Sequence, residues 1–162
     1  SNSNIEVLEN IYRITGKKPV FEKLDLKDKK AVSTLFKKYD FDGIIHFAAH
    51  KSVNESVNYP EKYFSNNVGS LENIIAETKL LDKPMNFIFS SSCTVYGQAD
   101  SMPINESFPL KKAESPYGES KKMCEEILKR NRRETQNSLM TTQQTNAMCA
   151  TSKNTTSYEI KT

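Results

Sequence analysis

The chain has 162 residues, 36% apolar and 27% charged, with a formal net charge of +3. That length suits one domain with a core of its own, and the composition is ordinary for a soluble protein. The small charge is spread along the chain and calls for no nucleic-acid partner; no apolar run reaches a membrane span, and no signal-peptide pattern appears. The three cysteines, Cys93, Cys124 and Cys149, are odd in number and widely spaced. Neither a disulfide framework nor a metal site follows from them, and a reducing, cytoplasmic setting is expected.

Ile5, Leu8, Ile11 and Tyr12 fall on one face of a predicted helix over 5–14, which Gly16 stops. Val20 to Leu24 reads as a short strand ending at Asp25-Leu26. Asp28 can cap a helix carrying Ala31, Val32, Leu35, Phe36 and Tyr39 on its buried side. The run Gly43 to Ala49 is apolar except for His46, as in a parallel strand covered on both faces. Pro60 can open a helix whose core side holds Tyr63, Phe64, Leu71, Ile74 and Ile75, with Gly69 as a weak point. Asn86 to Phe89 is another strand, running into Ser90-Ser91-Ser92. Ser115-Pro116 reads as N-cap and first residue of a helix with Met123, Cys124, Ile127 and Leu128 on its core face.

Strands alternating with helices predict a parallel sheet of the doubly wound type in an α/β fold. The predicted domain covers residues 1–133. Residues 134–162, rich in Thr, Asn, Gln and Ser, show no sustained period and are expected to form a disordered or unrelated tail without a strand.

Tyr117 and Lys121 stand four residues apart near the start of the last helix, so they share a face. A phenol with a pKa near ~10 is a poor base at neutral pH. Its pKa must fall by roughly 3, worth about 4 kcal/mol, before it can work there. A cation ~5 Å away at an effective dielectric of ~20 supplies around 3 kcal/mol. The helix N-terminus adds a smaller favourable contribution. Seven tyrosines in this lysine-rich chain make roughly one such pair by chance, so the pair needs context.

The context is a series of motifs. His46-Phe47-Ala48-Ala49-His50-Lys51-Ser52-Val53 leaves one strand, and Glu55-Ser56-Val57 and Asn66-Asn67-Val68 follow. Ser90-Ser91-Ser92-Cys93-Thr94-Val95-Tyr96-Gly97 leaves the next strand, and Ser115-Pro116-Tyr117-Gly118-Glu119-Ser120-Lys121 comes last. Together they resemble the successive signatures of the UDP-glucose 4-epimerases, in the extended short-chain dehydrogenase/reductase (NAD-dependent epimerase/dehydratase) family. The resemblance covers about residues 1–130.

The resemblance implies roles position by position. Tyr117 is similar to the catalytic tyrosine, Lys121 to its partner, and Ser92 to the hydroxyl that bridges the tyrosine and the sugar 4-hydroxyl. Phe47, Ala48 and Lys51 fall where the family holds the cofactor, NAD, and Asn66 on its nicotinamide side. Asp25 and Leu26 match the adenine-contacting pair; Asn2 and Ser3 match the end of a ribose-binding loop. The implied reaction interconverts UDP-glucose and UDP-galactose by transient oxidation at carbon 4, in a homodimer, with a UDP-hexose as substrate. Related 4,6-dehydratases carry an Asp-Glu pair where this chain has Cys93 and Thr94, so epimerisation is the expected chemistry. Epimerases of N-acetylated or uronic sugars, and an inactive remnant, are the alternatives.

On structural grounds His46 is expected as a satisfied core residue and Cys93 as a small packed one. The five glycines form no G-x-x-G-x-x-G cluster, and Ser1 opens the sequence. The resemblance therefore implies an incomplete, Rossmann-like sheet without the first two strands or the C-terminal substrate domain. The three predicted strands would be the third, fourth and fifth of that sheet, the first of them without a neighbour. Such a piece is expected to be unstable, free of NAD and inactive by itself.

Overall fold

In the computed structural model, which describes residues 4–98, 103–104, 107–135 and 138–142, the predicted helices form where their end signals stand. Helix α1 spans Glu6–Thr15, and Gly16 ends it at φ 67° with its N–H bonded to Tyr12 O. Helix α2 spans Lys29–Lys38. The Asp28 carboxylate accepts from the backbone N–H groups of Lys30 and Ala31, two donors that the first turn leaves without helical partners. Asp28→Ala is expected to cost about 1 kcal/mol, read from denaturant unfolding; an unchanged midpoint would contradict a capping role.

Strand β1, Gly43–His46, is followed by the short helices α3, Val53–Asn58, and α4, Pro60–Tyr63. The Ser52 side chain caps α3, accepting from Glu55 N. Pro60 opens α4 as the sequence predicts. The chain then passes through a π-helical turn, Phe64–Val68, into α5, Gly69–Thr78. The predicted single helix is thus continuous, but it widens ahead of Gly69. Strand β2, Asn86–Ser90, leads into a 3-10 turn, Cys93–Tyr96. Ser115 opens helix α6, Pro116–Thr135, its hydroxyl accepting from Gly118 N at 3.1 Å. Strand β3, Ser138–Thr142, comes last.

The sheet runs β1-β2-β3 with both pairings parallel. Ile44 lies opposite Phe87 and His46 opposite Phe89, so these four share a face by the two-residue period of strands. Val32 of α2, Leu71, Ile74 and Ile75 of α5, and Cys124 and Leu128 of α6 pack with Phe87 and Phe89 in the core. At roughly 25 cal/mol per Å² of apolar area, burial of this stripe is the main favourable contribution to folding.

Four expectations are corrected. Residues 20–24 form no strand; Val20 is 76% and Phe21 52% exposed. Among the described residues their backbone has no strand to pair with, and a lone extended segment gains no ladder. The sheet's three strands are therefore not the three expected. β1 forms from the second predicted strand and β2 from the third. The run from Gly43 is covered on one face only, and Ile45 on the other face is 62% exposed. Finally, the stretch expected to lack a strand supplies β3, and α6 continues through Thr135. The open edge of β2 templates this pairing, an effect of tertiary context that overrides a weak local preference. Residues 143–162 lie outside the described residues. Among the described residues no helix is long and apolar enough to cross a membrane.

Candidate functional site

Parallel strands point all their C-terminal ends one way, and in open α/β sheets that end is where ligands sit. The 47–52 segment leaves β1 there, and the 3-10 turn leaves β2. Helix α6 packs against the 3-10 turn, the π turn, α3 and α4.

On α6, Tyr117 is nearly buried and its ring meets that of Tyr63 edge-on, with centroids 6.4 Å apart. Lys121, one turn on, is 4% exposed. Its Nζ donates to Ser90 O at 2.8 Å and lies 4.7 Å from the Phe89 ring centroid. The ammonium is thereby aimed at the end of β2, two residues before Ser92. Burial pulls the Lys121 pKa below the usual lysine range. Ser92 is buried, and its Oγ accepts from Thr94 N at 3.3 Å and from Thr94 Oγ1 at 3.0 Å.

Gly97 closes the turn at φ 59°, and a Cβ there would stand 2.2 Å from Lys112 O. Only glycine fits this close approach. Gly118, beside Tyr117, likewise leaves room for Thr94, whose carbonyl oxygen a Cβ would meet at 3.0 Å.

Leu26, Phe47 and Ala48 line one groove of about 400 Å³ along β1, with Phe36, Ile44 and Ile74. Lys51 is exposed in the loop beyond. Asp25 is exposed too, its Oδ1 accepting from Lys27 N at 2.9 Å; Asn73 of α5 holds this segment by donating to Leu26 O at 2.9 Å. Asn66 is half-buried in the π turn and donates to Asn67 Oδ1 at 3.1 Å. Asn2 and Ser3 lie outside the described residues. Lys121 and Ser92 thus stand at the exit of β2, with Tyr117 one turn earlier on α6 against Tyr63, whereas Leu26, Phe47 and Ala48 line the groove along β1.

Sequence reasoning gave no role to Asn67, which ties the loop after β1 to α6. It is 2% exposed. Its Oδ1 accepts from His50 N at 2.8 Å, and its Nδ2 donates to His50 O at 3.0 Å and to Ser120 Oγ at 3.0 Å. The amide pairs with one residue's backbone as a strand neighbour would, and a carboxylate of the same shape lacks the donor. Ser120 Oγ donates in turn to Tyr117 O at 2.7 Å. The available signal was a polar residue at a core position of an otherwise apolar helical stripe.

Two further buried groups take structural parts. Cys124 donates to Asn67 O at 3.4 Å, and burial pushes its thiol up to about 12, far from a thiolate nucleophile. His46 stacks on Phe89 with ring centroids 6.0 Å apart, as a core residue should. Burial, and secondarily the Lys121 charge, lowers its pKa from 6.5 to about 4. Below pH 6.5 the unfolded chain takes up a proton that folded His46 refuses. Stability is therefore whole above pH 6.5 and falls as the pH drops toward 4, by at most about 3 kcal/mol. Unfolding midpoints measured from pH 7 to 4 are expected to show this loss, and His46→Phe to remove most of it. Parallel curves for the two proteins would contradict it.

The family model described as GDP-mannose 4,6 dehydratase matches residues 1–158. The chain belongs to this family. Within it, the chain is 43% identical over 129 residues to the UDP-glucose 4-epimerase of Bacillus subtilis (strain 168), covering 80% of this chain and 38% of that protein. It is 39% identical over 124 residues to the Drosophila melanogaster UDP-glucose 4-epimerase, covering 76% and 35%. Among solved structures, the UDP-Glc/GlcNAc 4-epimerase of Campylobacter jejuni superposes with a TM-score of 0.80 at 32% identity, over 88% of this chain and 43% of that one. The Bifidobacterium longum UDP-glucose 4-epimerase, solved with NAD+ and UDP, gives 0.80 at 35%, over 86% and 42%. The fold is thus part of a Rossmann-like family domain, and the chain spans less than half the length of these relatives.

Proposed function

We propose that the chain is the catalytic segment of an NAD-dependent UDP-hexose 4-epimerase that interconverts UDP-glucose and UDP-galactose. The observation that carries this reading is the seat of Lys121. Its ammonium is bonded to Ser90 O at the exit of β2, with Tyr117 one turn earlier on α6 and Ser92 two residues further along the chain. The similarity to epimerases whose structures hold NAD and UDP supports the same assignment.

The residues present would suit a dinucleotide cofactor, NAD. Leu26, Phe47 and Ala48 would offer it an apolar groove, and Asn66 and Lys121 polar groups. When bound, NAD supplies reversible hydride acceptance at the sugar's carbon 4. Tyr117, as the phenolate, takes the proton of the 4-hydroxyl and later returns it. Lys121 favours that anion by its charge, all the more because a buried cation is poorly screened. Ser92 offers a hydroxyl between the phenol and the substrate oxygen. In this proposal the complete enzyme is a homodimer.

Dehydration, the activity in the family model's description, needs an acid and a base to expel water. Cys93 and Thr94, in the turn after Ser92, supply no carboxylate. The test is incubation of the complete enzyme with UDP-glucose and product analysis by chromatography. UDP-galactose is the expected product; a 4-keto-6-deoxy sugar, or no conversion, would refute the assignment.

A further inference from the structure

Helix α6 grips the end of β2 at two successive turns. Lys121 Nζ bonds Ser90 O at 2.8 Å, and Glu125 Oε1 accepts from Ser91 Oγ at 2.5 Å. The other carboxylate oxygen of Glu125 takes Lys129 Nζ at 3.2 Å, from the following turn. Glu125 is 2% exposed and Ser91 3%. A carboxylate so deeply buried is costly unless its oxygens are bonded, and here each oxygen holds a donor. Neither residue has a part in the proton and hydride transfers proposed above.

Their placement gives them another part. Tyr117, Lys121 and Glu125 follow one another at four-residue steps, so they line one face of a single helix. The bonds of Ser92 Oγ go to Thr94, inside its own turn. Two ties from this strand exit across to α6 come from Ser90 and Ser91, just before Ser92. Ser91 is the last residue before Ser92, and its side chain ends on Glu125.

We propose that Glu125 is a positioning residue for Ser92. By holding Ser91 against α6, it fixes the distance between the Ser92 hydroxyl and the Tyr117–Lys121 pair. Lys129 keeps the carboxylate oriented from the solvent side. This role rests on the epimerase reading. The expected signature is kinetic, because a shift of about 1 Å in a reacting group can cost on the order of 100-fold in rate.

The test compares Glu125→Ala, Glu125→Gln, Ser91→Ala and the double variant Ser91→Ala/Glu125→Ala in the complete enzyme. Glu125→Ala is expected to lower kcat by on the order of 100-fold while the KM for UDP-glucose and the NAD content stay near wild type. Glu125→Gln keeps an acceptor for Ser91 and should restore most of the rate. The double variant should be no slower than the worse single one, because both changes remove the same bond. Should Glu125→Ala fail to fold, Ser91→Ala removes that bond while leaving the Lys129 partner in place. Unchanged kcat in both single variants overturns the role. So does a rate loss that adds in the double variant, or one matched by loss of NAD and of melting temperature. Absence of turnover in the wild type would instead remove the epimerase reading, and this role with it.

Discussion

Tyr117→Phe in the complete enzyme is expected to lower kcat by about 10²- to 10⁴-fold, the usual worth of a positioned acid–base group. The ring packs edge-on against Tyr63, and phenylalanine preserves that contact. Binding of UDP-glucose and retention of NAD should therefore be unaffected. A loss confined to kcat places the hydroxyl in the chemical step. Turnover within a few-fold of wild type would remove Tyr117 from that step and leave the site without its base.

Lys121→Met is expected to produce the second largest loss. Methionine keeps the length and the apolar contact with Phe89, but it removes the charge and the bond to Ser90 O. Losing the Coulomb support of around 3 kcal/mol corresponds to roughly 100-fold in rate at neutral pH. The cost to stability should be small, because the lost hydrogen bond is offset by relief of a buried charge. A kcat within a few-fold of wild type would remove the Lys121 charge from the chemical step.

The features legible in the sequence were those set by local chemistry. Gly16 ends α1, Asp28 caps α2, Pro60 opens α4 and Ser115-Pro116 opens α6, each through backbone groups within a few residues. The candidate site was legible where motif and local structure coincide. Ser92 stands at the strand exit because the serine run continues from β2, whereas Lys121 reaches it through a bond to Ser90 O across 31 positions of sequence.

What escaped depends on partners distant in the chain. Residues 20–24 have strand-like composition, but a strand also needs a neighbour. Ser138–Thr142 has a weaker pattern, yet the edge of β2 recruits it. The π turn reflects packing of Phe64–Val68 against α6, which no periodicity announces. Asn67 and Glu125 were hidden for the same reason. Their bonds cross 53 and 34 positions of sequence, to Ser120 and Ser91. Each nevertheless left a trace, as a polar residue on a helical face otherwise built for the core.

The most direct measurement follows the hydrogen on carbon 4 itself. The complete enzyme, given UDP-glucose deuterated at carbon 4, should yield UDP-galactose that keeps the deuterium at that carbon, with none acquired from solvent, because the same hydride leaves and returns within one closed site. Product formed with the label washed out, or label found at carbon 6, would contradict a tyrosine-driven oxidation and reduction at carbon 4.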